Sequence, residues 1–550
     1  MIFKKNMVLK NIYEEKIIIP FFFIIYFIIG IFIVRDYGIA FDENMQREIG
    51  QNRIDYIIYF FSNLFSRSIN STNDLTTIKW PEYGAFFEVF ALFIEKIFNF
   101  SDTRSQFFLR HHLIFLTSFV GSFFFYLLAM KRFKSWKIAL LGLILLITSP
   151  RIFSSSFYNS KDIILMYFFV ISTFFGIIFL EKPTLKNAIF FSLTSALCIG
   201  IRVAGIIVPF LILFLIWIKY LRKDYEFKIT KSVILFTTLS LFLVILFWPS
   251  LWENPLENFI DSIISFKTYD HPLFNFYLGN YTHSTAVHWY YIPLWIGVTT
   301  PILILFFFLL GSCISLFRIY RRLIRIDGIN RLNDLWRGPT ELLDLIFIIL
   351  IFVPVFFIVV FGSTLYSGWR HLYFIFPYII LMSLYGINLI FLKIKKLNLI
   401  FFKKSIYFVI IFCIFYNFYW LIKSHPFQNS YFNFFAGNLP HKNFQVDSWG
   451  LSNRYLIEKI LKEDDRSKIS ISAISVTSLG HNFNILSADQ KKRIKYAKNL
   501  QSSDYIVVTN NFIWGDYWKL KKLPTNFKVY HELFIDDILV TTLYKRRDSQ

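Results

Sequence analysis

Cysteine is nearly missing from these 550 residues: Cys198, Cys313 and Cys413 are the only three, and each falls inside a long apolar run. None can staple a segment outside those runs, so a disulfide framework and a CxxC metal site are both excluded. Charge is scarce as well, with 17% Asp, Glu, Lys and Arg against 55% hydrophobic and 21% aromatic residues, and the mean hydropathy is positive. Such a composition is far from that of a soluble domain and indicates a polytopic membrane protein. Internal repeats and low-complexity linkers are absent. No small-residue cleavage site follows the first apolar run, which therefore reads as an uncleaved anchor behind Lys4, Lys5, Lys10 and Lys16.

What is present is a series of apolar stretches near 17–34, 112–130, 138–150, 162–180, 187–201, 203–219, 232–248, 292–317, 343–361, 372–392 and 405–422. These predict an α-helical membrane core over 1–422 with about eleven spans, of which 138–150 and 187–201 are the shortest. Placing the N-terminus in the cytoplasm puts 26 Lys and Arg in the inner segments and only Arg151, Lys161, Lys267 and Arg370 in the outer loops 150–161, 249–291 and 362–371. The positive-inside rule favours that topology, and it accounts for much of the net charge of +22 without a nucleic-acid partner. An odd span count then places the tail, 423–550, outside.

Two outer loops are long, 35–110 and 249–291. In the first, "PEYGAFFEVFALFIEKIFNF" at 81–100 has helical apolar spacing with Glu82, Glu88 and Glu95 between, and reads as a helix lying in the membrane interface. The tail offers the strand-like runs "KISISAISV", "DYIVVTN" and "DILVTTLYK", with a polar helical stretch "SADQKKRIKYAKNL" before the second of them. That pattern predicts a small extracytoplasmic α/β lobe.

The residues able to do chemistry gather at the outer side. Asp42 and Glu43 follow the first span directly, where a charged carboxylate is costly unless it has a partner or a task; the bland alternative is a solvated loop start. Arg370 is the lone cation of its loop, with His371 beside it, and a guanidinium meets a phosphate with two parallel hydrogen bonds. Arg202 lies at a break between apolar segments, which suits a cavity or a side chain snorkelling to the surface. Lys161 adjoins Asp162, an arrangement equally suited to an ion pair. His271, His283 and His288 fit no compact zinc spacing; His288, in "HWYY", is open to a role in a polar wall for a sugar or acceptor.

The context "GIAFDE" resembles the GT-C glycosyltransferases, in particular the protein O-mannosyltransferase and aminoarabinose-transferase branch, to which bacterial membrane enzymes of glycosyltransferase family 39 are similar. Those enzymes carry an "FDE" or "DE" pair at the start of the first outer loop, so that Asp42 matches the acceptor-activating acid and Glu43 its neighbour. "WPEYGAFFEVFALFIEKIF" resembles the interfacial helix of the family, with Trp80-Pro81-Glu82 where His-Pro-Pro is usual. In "SPRIFSSSFYNSKD", Asp162 matches an acid at the mouth of the fourth span, and "WPSLWENP", "YSGWRHLYFIFPY" and the tail stretch from His425 to Arg454 are similar to bacterial relatives. The resemblance extends over roughly the whole chain except 465–550.

It implies a bacterial inner-membrane enzyme that moves a sugar from a polyprenyl-phosphate donor to a hydroxyl of a glycan, lipid or protein acceptor at the outer face. Asp42 and Glu43 would be the catalytic acids, with Asp42 taking the proton of the hydroxyl as it attacks the anomeric carbon, inverting the configuration, while Arg370, His371, Arg202 and Lys161 meet the phosphate. Asp162, Glu82 and His288 would complete the substrate site. No cofactor is called for, although assistance from a divalent metal stays open. The alternatives are an outer-face polysaccharide ligase or polymerase, and a lipid-linked sugar transporter or flippase; the latter predicts an internal repeat that the sequence lacks.

Overall fold

The structure is a computed structural model that describes residues 2–64, 78–222, 229–265, 273–324, 335–474, 477–509 and 523–547. Helix α1 (Ile2–Ile33) is followed by two helices of the first loop, α2 (Glu43–Leu64) and α3 (Phe86–Ile97). The bundle continues with α4 (Thr103–Phe133), α5 (Trp136–Ile147), the short α6 (Pro150–Ser155), α7 (Asp162–Glu181), α8 (Leu185–Ile199), α9 (Ile207–Leu221) and α10 (Ile229–Phe247). After α11 (Pro255–Ser265), the hairpin β1 (Phe274–Tyr277) and β2 (Asn280–His283), and α12 (Tyr291–Thr299), it closes with α13 (Ile302–Ile324), α14 (Gly338–Phe361), α15 (Phe376–Lys396) and α16 (Ile400–Lys423).

Among the described residues nine helices are long and apolar enough to cross a membrane. The other two expected spans, 138–150 and 187–201, are the shorter apolar helices α5 and α8. At 12 residues α5 is about 18 Å long, well under the ~30 Å of hydrocarbon. In the polar stretch that follows it, Ser154, Ser155, Asn159 and Asp162 are all buried in protein. Irregular backbone at such depth is stable where other helices cover it.

The bundle has two charged ends. Lys131, after the apolar part of α4, pairs with Glu181 at the end of α7 at 2.6 Å, and Arg132 reaches Asp344 of α14 at 2.5 Å. Arg202, after α8, meets Asp162 at the start of α7 at 2.8 Å. The twenty residues of α7 thus separate two ionic clusters by about 30 Å. Between them helices pack closely: a Cβ on Gly311 would lie 2.2 Å from the Met382 carbonyl and one on Gly386 2.3 Å from that of Phe307, so α13 and α15 meet backbone to backbone. Phe210, Phe242, Phe306, Phe401, Phe408 and Phe415 point outward and are more than half exposed, as a lipid-facing surface requires.

In the tail, Phe427, Phe432, Phe444 and Trp449 bury in the same apolar core as the bundle. A separate core begins with Leu456 on α17 (Ser452–Glu463). It is covered by a five-stranded mixed sheet of β3 (Ile469–Ala473), β4 (Ile494–Tyr496), β5 (Tyr505–Thr509), β6 (Phe527–Ile535) and β7 (Ile538–Arg546), in the order β4-β3-β5-β7-β6. The expected helix in "SADQKKRIKYAKNL" is confined to α18 (Ala488–Arg493), started by a Ser487/Gln490 capping box. Ile494 leaves it as an edge strand because pairing with Ile469 buries its side chain. Strand β6, without a counterpart among the expected runs, carries register shifts at Val529/His531 and Leu533/Phe534 that break its alternation.

Candidate active site

The loop that carries the first acids is gripped from several directions. Tyr37 is fully buried, stacks on Phe157 at 4.9 Å and donates a hydrogen bond to Gln428 Oε1 at 2.9 Å. Asn482, from the tail, accepts from the Ile39 N–H and donates to the Ile39 carbonyl, both at 2.9 Å. The Phe41 N–H donates to the Trp449 carbonyl at 3.0 Å, and the Arg454 guanidinium donates to the carbonyls of Arg35 and Tyr37.

These restraints send Asp42 and Glu43 in opposite directions. Glu43 opens α2, is buried, accepts the Ala40 N–H at 2.6 Å and meets His111 Nε2 at 2.9 Å. It closes its own loop against α4. Asp42 keeps 30% of its side chain exposed and accepts from Arg370 Nη1 at 2.7 Å.

Around that pair stand most of the other expected residues. Asp162 is fixed by Asn159, whose side-chain Oδ1 accepts its N–H at 2.8 Å and whose Nδ2 donates to its carboxylate at 3.2 Å; its second partner is Arg202, and Arg370 Nη1 lies 4.0 Å away. The Arg370 guanidinium is sandwiched between Tyr366 and Trp449, 4.7 Å from each ring centre. Lys161 sits on the Tyr83 ring at 3.0 Å. Burial and then the nearby Arg202 push its ammonium well below the usual lysine range, against the opposing pull of Asp162 and Asp42. Glu82, Tyr83, Arg202, Thr364, Tyr366 and His371 line one small cavity beside this cluster.

Two further contacts bring the walls together. A Cβ on Gly84 would lie 2.2 Å from the Gly200 carbonyl, so the loop of Glu82 and Tyr83 lies directly on the turn leading to Arg202. That loop is held from below by Arg53, which donates to the carbonyls of Lys79 and Trp80 at 2.9 and 2.7 Å; burial lowers the guanidinium's pKa to about 10. On the other wall, Asn275 of β1 donates to the Leu365 carbonyl at 2.7 Å and accepts from Ser367 N–H and Tyr291 Oη at 3.2 and 2.7 Å. The hairpin thereby sets the loop that presents Arg370.

Asp42, Glu82, Lys161, Asp162, Arg202, Arg370 and His371 therefore belong to one neighbourhood. Glu43 faces away from it. His288 is held in the second loop by Tyr277 Oη at 2.8 Å and stacks on Tyr290. His283 meets Thr285 Oγ1 at 2.7 Å, and His271 lies outside the described residues. Among the described residues no group of three or more His, Cys, Asp or Glu is arranged to hold a metal ion. Sequence reasoning missed Tyr83, Tyr366 and Trp449 as walls and Asn275 and Asn482 as clamps; the first three stood inside the quoted motifs.

Arg370 Nε and His371 Nδ1 in this cluster are buried with no hydrogen-bond partner among the described residues. Buried polar groups are nearly always paired, so atoms left open beside a partly exposed carboxylate, two guanidiniums and a lysine mark a place where a polar, anionic ligand fits. The site is a carboxylate able to take a proton, facing a cationic wall able to receive a leaving anion.

No family model and no curated protein matches the chain. Among solved structures, ArnT from Cupriavidus metallidurans is similar in the apo state (12% identity over 95% of this chain and 97% of that one, TM-score 0.46) and bound to undecaprenyl phosphate (12%, 95% and 97%, TM-score 0.47). The archaeal oligosaccharyltransferase AglB from Archaeoglobus fulgidus, in complex with an inhibitory peptide and a dolichol-phosphate, is similar at 10% identity over 89% of this chain and 69% of that one, TM-score 0.48. At such identities and TM-scores these likenesses assign no activity, ligand or residue role to this chain.

Proposed function

We propose that this protein is a membrane glycosyltransferase of the GT-C type that transfers a sugar from a polyprenyl-phosphate donor to an acceptor hydroxyl, with Asp42 as general base. The observation that carries the reading is the Asp42–Arg370 pair: a partly exposed carboxylate set against a buried guanidinium that has a donor to spare. The isoprenoid tail stays in the lipid and its phosphate lies at the end of the bundle where this pair sits.

The phosphate competes with Asp42 for Arg370. Donor binding thus frees the carboxylate that the reaction needs. Asp42 then takes the hydroxyl proton while the acceptor oxygen bonds to the anomeric carbon, and the bond from that carbon to the phosphate oxygen breaks. The lipid phosphate leaves with the electron pair, and Arg370, Arg202 and Lys161 stabilise the charge as it develops. A single displacement inverts the anomeric centre. Glu43 holds the loop, and Asp162 orients Arg202. In this reading the site faces outward from a bacterial inner membrane, with the N-terminus inside.

The test is transfer by the purified protein from a synthetic polyprenyl-phosphate sugar, together with mass spectrometry of envelope glycolipids and glycoproteins from cells with and without it. A modification that disappears names sugar and acceptor. Envelopes that are identical, together with a purified protein that transfers nothing from any such donor, refute the reading.

A further inference from the structure

One buried cation takes no part in the proposed transfer. Arg151, on the short α6, has a single hydrogen bond among the described residues, from Nε to the Tyr431 carbonyl at 3.1 Å. Its Nη2 is buried with no partner there. The guanidinium lies over the Phe432 ring at 4.8 Å and the Trp295 ring at 5.5 Å, so it is held between the tail and α12. Tyr373, three residues after Arg370, interacts electrostatically with both guanidiniums.

No Asp or Glu among the described residues pairs with Arg151, which sets it apart from its equals. Arg110, Arg132, Arg202 and Arg370 are also buried, and each meets a carboxylate. Arg53, buried without one, gives both terminal nitrogens to backbone carbonyls. Burial lowers the Arg151 guanidinium's pKa to about 10, which leaves it charged at neutral pH. The groups that oppose this shift are the phenols of Tyr373, Tyr158 and Tyr291. Burial raises the Tyr158 and Tyr291 hydroxyls above the ordinary phenol range, so they offer O–H donors and no countercharge. Two aromatic faces offset part of the cost of burying a charge, and a countercharge offsets more.

We propose that Arg151 holds a small inorganic anion of halide size between its guanidinium and the phenol hydroxyls that act on it. An anion answers both needs at once, the missing charge and the missing acceptor. The ligand is small because the open nitrogen is itself buried, among Trp295, Tyr158 and Tyr291, each no more than 1% exposed. Bound there, it neutralises the charge on which α6, α12 and the tail converge, and so strengthens the joint between tail and bundle. The site stands independently of the transfer reading.

The experiment is thermal unfolding of the full-length protein in neutral detergent, with sodium gluconate replaced stepwise by sodium chloride at constant ionic strength, together with anomalous diffraction from crystals grown in bromide. The midpoint is expected to rise by about 2 °C and to saturate, as binding at one site requires. Arg151→Met keeps the length of the side chain and removes the charge, so its midpoint should not respond to chloride. Arg151→Lys should retain the response. The bromide peak is expected beside Arg151 Nη2. A native midpoint that ignores chloride, a midpoint that rises as far in Arg151→Met, or crystals with no bromide at Arg151 would overturn the proposal; should Arg151→Met fail to fold, the bromide peak decides.

Discussion

The two ends of the bundle each bury an ionic cluster, and they differ in how completely it is satisfied. At one end Asp344 receives two bonds from Arg132, at 2.5 and 2.9 Å, and one from Arg318 at 3.1 Å; Arg322 grips Glu341 with both terminal nitrogens; Arg318 also reaches Tyr385 and Ser315. At the other end Arg370 leaves Nε unbonded, His371 leaves Nδ1 unbonded, and Asp42 stays partly in solvent. Both clusters set three cations against two principal carboxylates, so charge count does not separate them. Closure does: the first holds helices together, and the second leaves its valences for something that arrives.

The comparison can be broken by removing one carboxylate at each end. Asp344→Asn leaves Arg132 and Arg318 short of their counterion and should cost about 3–5 kcal/mol of stability, read as a large fall in thermal midpoint, while turnover per folded molecule is unchanged. Asp42→Asn should do the reverse, lowering turnover by about 10² or more with little change in melting. If the two variants behave alike, the distinction fails. Arg370→Ala comes next: losing a charge-assisted partner of the phosphate, about 1.5–3 kcal/mol, should weaken donor binding roughly 10- to 100-fold. Arg370→Lys should fall between, because it keeps the charge and loses the fork. Titration of a fluorescent lipid-linked donor measures both.

Asn482→Leu leaves the Ile39 N–H and carbonyl without partners and should cost about 1–3 kcal/mol, with turnover reduced more than donor affinity because the loop of Asp42 loosens. The smallest effect concerns Lys161. Its ammonium is disfavoured by burial and by Arg202, and an anionic donor favours the charged form; binding therefore takes up a proton, and donor affinity should rise as pH falls through the lowered lysine range. Lys161→Arg, charged throughout, should flatten that dependence in a plot of donor KM against pH.

The sequence reveals Asp42, Lys161, Asp162, Arg202 and Arg370 because an isolated charge beside a long apolar run is conspicuous and costly. It separates Asp42 from Glu43 poorly, since adjacent acids look alike until Ala40 and His111 take one of them. Asn275 and Asn482 are illegible from one chain: the first bonds Leu365, 90 residues on, and the second bonds Ile39, 443 residues back, and no local pattern announces such pairings. The long helices were legible from length and apolarity. The α18–β4 junction was not, because a basic amphipathic run suits either state until the neighbouring strand decides.

The clamp by Asn482, Trp449 and Arg454 on the loop between Arg35 and Phe41 also orders events during synthesis. The acid enters the membrane boundary with the first helix, and its loop can meet His111 and Phe157 long before Trp449 and Asn482, more than 400 residues on, have been made. Until then the loop of Asp42 lacks the last of its clamps. On the proposed function, a chain stalled before Asn482 would be inserted with the loop of its acid incompletely held.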